Sequence, residues 1–298
     1  MAKKVDWVKR IGIGVFLIVA VVSFLYGNFD LFEEEIPNEI DTADTSVHFI
    51  DCGQGDSILM ISEGETALID TGTQEESEKV VAYLKRKGLE KLDHLILSHP
   101  HADHMGGAKV ILESFEVDQI HMGRPTEGAE PTTAFYINFL KKVQALGKKI
   151  DAAKAGDEME IGAFSVKVLG PVEPYREMNN QSLVLRLEYG EVSFILTGDQ
   201  EKDAEKDLLE RVGLSDLDAT VLKIGHHGSE SSTSAAFLKA VSPQYAIISC
   251  GKDNSYGHPD EEIIERLNQN HIKYWRTDQS GSVVMATDGK GLRIESEK

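Results

Sequence analysis

The segment Ser-His-Pro-His-Ala-Asp-His, residues 98–104, constrains the fold and chemistry of this chain more than any other feature. It directly follows the apolar run Leu-Ile-Leu, which is typical of a buried strand. His99 and His101 are two residues apart, so their side chains point the same way in extended backbone. Asp103 and His104 follow where the chain turns toward Gly-Gly. The pattern predicts a metal site at the end of a strand.

Two neutral imidazoles that converge on one point suit a borderline cation, so we expect Zn²⁺, with Mn²⁺ as the alternative. Asp103 and His104 can face a second ion a few ångströms away. Paired ions about 3.5–4 Å apart activate water and stabilise a developing oxyanion. The motif therefore predicts two divalent metal ions and a hydrolytic reaction.

The charge of the chain disfavours one class of function. The formal net charge is −19, and four of the first ten residues are basic, so the rest of the chain is more acidic still. An acidic surface repels polyanions at long range. Tight non-specific DNA binding, which requires many lysines and arginines against phosphates, is therefore disfavoured.

The two cysteines, Cys52 and Cys250, each follow an apolar run that is typical of a strand. Neither lies in a Cys-x-x-Cys pair, which excludes a cysteine-based zinc site. An oxidising location would permit a disulfide between them. The alternative is two small buried residues.

The N-terminal region has the pattern of a membrane anchor. Residues 1–10 form a basic tail, and residues 11–29 are free of charge and almost entirely apolar. As a helix, 19 residues span about 28 Å, close to the thickness of the hydrocarbon core. The charges before and after this run predict a single-pass cell-membrane protein with an extracytoplasmic catalytic domain.

The alternative to a retained anchor is a cleaved signal peptide. Bulky residues at positions 24–26 do not fit a cleavage site, and they favour the anchor. Residues 30–44 are acidic and contain Pro37, as in a short extended linker. Residues 45–298 then form the predicted hydrolase domain.

Hydrophobic periodicity divides this domain into two similar halves, each with strands first and then alternating helices and strands. This order predicts an α/β fold with two sheets packed together and helices outside. Strands are predicted at 46–50, 57–62, 66–69, 92–98, 117–122, 164–169, 182–189, 191–197, 219–224, 245–249, 273–277 and 282–287. Helices are predicted at 75–87, 107–114, 133–146, 201–211, 234–241 and 260–270.

The strand-end motif, together with Leu-Ile-Asp-Thr-Gly at 68–72, resembles the metallo-β-lactamase superfamily. More narrowly, Asp-Cys-Gly-Gln-Gly-Asp-Ser (51–57), Leu-Thr-Gly-Asp (196–199), Lys-Ile-Gly-His-His-Gly-Ser (223–229) and Tyr-Gly-His-Pro (256–259) are similar to the extracellular hydrolase domain of the ComEC family of competence proteins. The resemblance covers about residues 46–289 and implies a four-layer αββα sandwich. It does not extend to the transport channel of that family, because one membrane span is predicted.

The resemblance implies further site residues. Asp199 would be the carboxylate that bridges the two ions; considered alone, it could equally be a helix N-cap. Asp70 would orient the ligand loop from outside the coordination sphere. One residue of the pair His226 and His227 would complete the second-metal site, and we favour His227. The other would contact the substrate.

His258 precedes a proline in a loop rich in glycine, asparagine and aspartate. We expect it to contact the substrate or to donate a proton, the alternative being an ordinary surface residue. Many superfamily members place a third histidine ahead of the strand predicted to start at 182. This chain has Met-Asn-Asn-Gln-Ser there, so Asn179 or Asn180 could take that place, and we name Asn180 as substrate-binding. An open metal position is typical of a catalytic site.

These features predict a membrane-anchored, metal-dependent hydrolase, phosphodiesterase or nuclease-like, that uses a metal-bridging hydroxide. Asp103 and His258 are the predicted catalytic residues. The expected substrate is a phosphodiester or phosphate ester, with DNA among the candidates. The alternatives are a cell-wall phosphate ester, a carboxylic ester, or a catalytically weak metal-binding or assembly protein. The predicted metal ligands are His99, His101, Asp103, His104, Asp199 and His227.

Overall fold

The computed structural model describes residues 44–298, which form two β-sheets packed face to face. The strands are β1 (Thr45–Phe49), β2 (Ile58–Ser62), β3 (Glu65–Ile69), β4 (Lys91–Leu97), β5 (Glu116–Gly123), β6 (Asp151–Ala153), β7 (Glu158–Ile161), β8 (Phe164–Gly170), β9 (Val184–Tyr189), β10 (Val192–Leu196), β11 (Val221–Lys223), β12 (Tyr245–Ile248), β13 (Lys273–Arg276), β14 (Val283–Thr287) and β15 (Leu292–Ser296).

Helices connect the strands of both sheets. They are α1 (Ser77–Arg86), α2 (Ala102–Met105), α3 (Ala108–Ser114), α4 (Ala134–Ala145), α5 (Lys202–Arg211), α6 (Leu214–Leu217), α7 (Ala235–Val241), α8 (Glu261–Gln269) and α9 (Thr277–Ser280). Short 3-10 turns cover Asn179–Gln181 and Gly225–Gly228.

Each sheet combines an antiparallel and a parallel part. The first sheet has the order β15-β14-β1-β2-β3-β4-β5-β6, and β3 to β6 run parallel. The second has the order β13-β12-β11-β10-β9-β8-β7, and β10 to β13 run parallel. In register, Leu68 faces Leu95 across β3 and β4, and Leu196 faces Lys223 across β10 and β11. Within each parallel part, the carboxyl ends of the strands therefore meet at one edge of the sheet.

Three apolar layers hold the sandwich together. The central layer lies between the sheets and includes Phe49, Phe164 and Phe194. One outer layer packs α1, α3 and α4 against the first sheet, and the other packs α5, α7 and α8 against the second. The predicted four-layer αββα order is therefore confirmed for the described residues.

The sequence patterns missed three strands. β6 is only three residues long and reads Asp-Ala-Ala, a poor strand former. β7 and β15 carry charged residues and form through pairing with β8 and β14. The strand predicted at 219–224 is shorter in the structure, where it covers Val221–Lys223. The three missed strands are short or charged segments that lack a continuous apolar pattern of their own and are defined by pairing with a neighbouring strand.

Both cysteines are buried and free, and no disulfide joins them. The alternative prediction of two small buried residues is therefore confirmed. Sγ of Cys250 lies 3.3 Å from a carboxylate oxygen of Asp278.

The predicted basic tail (1–10), anchor (11–29) and all but the last residue of the linker (30–44) lie outside the described residues. Within residues 44–298, none of the helices combines the length and apolar character needed to cross a bilayer.

Candidate metal centre

The candidate centre lies where loops from both sheets meet at the carboxyl ends of parallel strands. The loop after β4 carries the histidine motif, the loop after β10 carries Asp199, and the turn after β11 carries His226 and His227. The backbone of His101 is extended (φ −91°, ψ 156°) before α2 begins. His99 and His101 therefore project together, with ring centroids 4.8 Å apart, as their spacing predicted.

A first group of possible ligands consists of His99, His101 and Asp199, whose nearest ligand atoms all lie within 4.8 Å of one another. Nδ1 of His99 is 3.1 Å from Oγ of Ser98 and 3.2 Å from Oγ of Ser182. These hydroxyls hold the ring so that Nε2 faces Asp199 at 3.9 Å. Nε2 is therefore the nitrogen available to a metal.

A second group consists of Asp103, His104, Asp199 and His227. Nε2 of His104 lies 3.1 Å from Oδ1 of Asp199. Nε2 of His227 lies 3.2 Å from Oδ2 of Asp103 and 3.5 Å from Oδ2 of Asp199. Two ligands at about 2.0–2.2 Å from a tetrahedral ion are themselves about 3.3–3.6 Å apart, so these separations suit a shared cation. Asp199 belongs to both groups and can bridge two ions.

Hydrogen bonds on the far side of the rings fix which nitrogen faces the centre. Nδ1 of His227 donates to the carbonyl of Ser249 at 2.9 Å. Nδ1 of His104 is 2.7 Å from Oδ2 of Asp70, which also accepts from the Ser98 hydroxyl at 2.6 Å. Asp70 thus contacts the ligand loop at two points. Such outer contacts set the orientation of metal-binding imidazoles.

The donor set fits divalent cations. Nε2 of His99 is buried and has no hydrogen-bond partner among residues 44–298, and Nε2 of His104 and Oδ1 of Asp199 lack a well-aligned one. Burial holds the pKa of His99 well below its usual value, which leaves a neutral ring. Burial alone would raise the pKa of Asp199, but His104 and His227 hold it well below its usual range. Imidazole nitrogens and carboxylate oxygens thus converge on one buried point, an arrangement that fits a bound divalent cation.

The turn after β11 has an unusual backbone. His226 (φ 47°, ψ 46°) and His227 (φ 55°, ψ 20°) are both left-handed, a conformation that costs a non-glycine residue about 1–2 kcal/mol. The turn allows adjacent side chains to serve the same site. His227 is buried, whereas the side chain of His226 remains 24% exposed and its Nε2 lies 3.8 Å from Oδ2 of Asp199. The second ligand group therefore includes His227 and leaves His226 at its edge.

A cavity of about 340 Å³ opens beside both groups. His226 and His258 line it, with ring centroids 5.5 Å apart, where a substrate contact was predicted. Tyr256 is 68% exposed and stacks on His258 at 5.7 Å. The remaining lining residues are Gln54, His101, Ala102, Asp103, Asn179, Asp199 and His227.

The prediction for Asn180 does not match its placement. Asn180 is buried, does not line the cavity, and its Oδ1 accepts a hydrogen bond from the backbone of Glu201 at 3.0 Å. The neighbouring Asn179 faces the cavity instead. Both residues lie in a 3-10 turn, and its rotation decides which amide points to the site.

The sequence patterns missed two charged residues behind the centre. Lys223 is fully buried, and its Nζ lies 2.6 Å from Oδ2 of Asp56. The available signal was a lysine within the apolar run Val-Leu-Lys-Ile, because a lysine is almost never fully buried without a paired acid. The acidic partner lies in the other half of the chain, so spacing could not identify it.

Comparisons with known proteins agree with this fold. The family model of the metallo-beta-lactamase superfamily matches residues 50–252. The chain is 34% identical over 261 residues to the ComE operon protein 3 of Bacillus subtilis, covering 81% of this chain and 33% of that protein. It is 31% identical over 262 residues to the competence protein ComA of Neisseria gonorrhoeae, covering 87% of this chain and 35% of that protein.

The chain spans about a third of the length of these curated relatives. Among solved structures, the metallo-beta-lactamase fold protein YhfI of Bacillus subtilis superposes with a TM-score of 0.53 at 14% identity, covering 84% of this chain and all of that one. The diiron beta-hydroxylase CmlA of Streptomyces venezuelae gives 0.54 at 12% identity, covering 78% of this chain and 53% of that one. At such identities the likeness establishes the fold alone. The family match and the described architecture together show that this chain belongs to the metallo-β-lactamase superfamily.

Proposed function

We propose that this protein is a metal-dependent hydrolase of phosphodiester or phosphate-ester bonds. The main support is the arrangement of two ligand groups that share Asp199 and open onto one cavity. Divalent ions in these groups would supply activated water and would stabilise negative charge that develops during hydrolysis. We name Zn²⁺ as the metal, with Mn²⁺ as the alternative.

We assign His99, His101 and Asp199 to one ion, and Asp103, His104, Asp199 and His227 to the other. Asp103 lines the cavity with a side chain that is 28% exposed, whereas the side chain of His227 is 1% exposed. Loss of the Asp103 carboxylate would weaken the binding of one ion and would also alter the site of the activated water. We therefore assign Asp103 a catalytic role as well.

We assign the substrate side of the cavity to His226 and His258. Nδ1 of His226 is held by Oγ of Ser231 at 3.1 Å and by Oε1 of Glu201 at 3.2 Å, which leaves Nε2 toward the cavity. An imidazole so placed can donate to a phosphoryl oxygen. His258 stacks on Tyr256 and meets the ring of His226 edge to face, where it can orient the leaving group or protonate it.

The choice of a phosphodiester rests on the competence relatives and on the polar histidine-rich lining of the cavity. DNA is one candidate substrate. The net charge of −19 opposes non-specific affinity for polynucleotides, so we expect weak binding away from the site. The test must distinguish this proposal from its alternatives. These are hydrolysis of a carboxylic ester, hydrolysis of a cell-wall phosphate ester, and a non-catalytic metal-binding or assembly role.

The enzymatic proposal is tested with the purified full-length chain in mild detergent. We expect turnover of bis-p-nitrophenyl phosphate that a chelator abolishes and that Zn²⁺ or Mn²⁺ restores. Asp103→Asn should lower this turnover by at least about 100-fold, because the change removes an anionic ligand. The control Asp216→Asn alters a carboxylate that is 39% exposed and belongs neither to the ligand groups nor to the cavity lining, so it should have wild-type activity.

Preferred turnover of p-nitrophenyl acetate or nitrocefin would contradict the phosphodiester assignment. If the metal-loaded chain turned over none of these substrates nor DNA, the metal-binding or assembly role would replace the enzymatic one.

We also propose that residues 11–29 anchor the chain in the cell membrane and that residues 45–298 lie outside the cytoplasm. The support is the uncharged length of this run and the basic residues before it. Protease added to intact spheroplasts should digest the domain. Protection of the domain until the cells are lysed would contradict this topology.

A further inference from the structure

Lys223 provides a buried positive charge directly behind the candidate centre. It ends β11, and its relative exposure is 0%. Nζ lies 2.6 Å from Oδ2 of Asp56 and 3.4 Å from the carbonyl of Gly198. A buried ammonium is tolerated only with such partners, because removing it from water is costly. Asp56 belongs to the loop before β2, so this ion pair joins the two sheets.

Asp56 in turn contacts the second ligand group from behind. Its Oδ1 lies 3.5 Å from Nδ1 of His227, and its Oδ2 lies 3.9 Å from Nδ1 of His104. Its backbone N–H donates to the carbonyl of Asp103 at 3.1 Å. One residue thus touches three of the four members of that group. No such contact links it to His101, which belongs to the first group, among the interactions of the described residues.

The approach of this loop to Asp103 is specified by a glycine. Gly55 has φ 149°, and a Cβ at this position would lie 2.2 Å from the carbonyl oxygen of Asp103. Only glycine therefore allows Asp56 to reach its place without moving the backbone of the ligand loop. Gly55 thus specifies the contact between Asp56 and the ligand loop.

The ammonium of Lys223 also lies beside a third cluster of ligand-type side chains. Asp56, Asp70 and His104 are close enough to hold a cation themselves, behind the centre. Nζ of Lys223 lies 2.6 Å from the Asp56 carboxylate, so this rear group already contains a positive charge from the protein.

We propose that Lys223 and Asp56 form a fixed internal ion pair that positions His227 and His104 for the second ion. Their loss should weaken the second ion selectively and leave the group of His99, His101 and Asp199 intact. This inference rests on the proposed function only in assuming that the two groups hold ions. It concerns metal affinity and does not depend on which substrate is cleaved.

The test uses the full-length chain and resolves two Zn²⁺ affinities by competition with a chromophoric chelator. Removing one partner leaves an unpaired buried charge and could prevent folding. The informative variant is therefore the double substitution Asp56→Asn with Lys223→Met, which removes both charges together. We expect the second Zn²⁺ to bind about 10–100-fold more weakly, as is typical when an outer contact of a ligand is lost. The first Zn²⁺ should keep its affinity.

The matched control is the double substitution Lys167→Met with Asp216→Asn. It removes a partly exposed ion pair of 3.0 Å that shares no residue with the ligand groups or the cavity lining. We expect this control to leave both Zn²⁺ affinities unchanged. Wild-type affinity for both ions in a folded Asp56→Asn/Lys223→Met variant would overturn the proposal, as would equal weakening of both. Absence of phosphodiester turnover in the wild-type chain would refute the proposed function without altering this result.

Discussion

Nε2 of His227 lies 3.2 Å from Oδ2 of Asp103, although 124 residues separate them along the chain. Asp103 follows a strand of the first sheet, and His227 follows a strand of the second. The second ligand group is therefore completed only when both halves of the sandwich have packed. An ion bound there would link the two sheets as well as serve the reaction.

The paired histidines should differ in their effects. His227→Ala should lower the affinity of the second ion, because His227 is the buried member whose Nε2 faces Asp103 and Asp199. His226→Ala should leave two ions bound and mainly raise the KM for a phosphodiester. Metal titration and steady-state kinetics on both variants make the comparison. Loss of an ion in the His226 variant alone would reverse the assignment.

His258 should affect turnover without affecting the metals. It lines the cavity, stacks on Tyr256 and meets His226 edge to face, but it belongs to neither ligand group. We expect His258→Ala to keep its ion content and to lower kcat by about 100-fold or more, the usual size of a general acid contribution. Asp216→Asn, at a residue outside the cavity lining and the ligand groups, is the control and should retain wild-type kcat. If His258→Ala lost an ion, the Gly-His-Pro loop would be a coordinating loop.

Local sequence patterns were sufficient for much of this fold and for the main ligand cluster. The strand before His99 is apolar, and the spacing of His99 and His101 makes them face one way in extended backbone. These features depend on neighbours along the chain. The central strands and the longer helices were predicted for the same reason, since their periodicity reflects which face is buried.

What the sequence did not reveal depends either on distant contacts or on backbone turns that sequence preferences do not specify. The Lys223–Asp56 contact joins two sheets, and no local pattern specifies it. The choice between Asn179 and Asn180 depends on the rotation of one 3-10 turn. The placement of both His226 and His227 beside the centre depends on a left-handed turn at two non-glycine residues. Sequence preferences disfavour such a turn.

The two cysteines should be unreactive in the folded protein. Burial and the neighbouring carboxylate of Asp278 raise the pKa of Cys250 to about 12, and burial raises that of Cys52 well above its usual range. Thiols of this kind contain little of the reactive thiolate. Ellman's reagent should detect no thiol in the native chain and two after unfolding without reductant. A chain that releases none after unfolding would contain a disulfide, contrary to the free cysteines described above.

The metal content of the purified chain tests the proposed two-metal centre most directly. Elemental analysis after loading with Zn²⁺ or Mn²⁺ and removal of excess metal should give about two ions per chain, as the two ligand groups that share Asp199 require. A folded Asp199→Asn variant should hold fewer. The predicted result is a two-ion protein that loses phosphodiester turnover when a chelator strips the metal. A folded, metal-free chain with full activity would contradict the proposed two-metal centre.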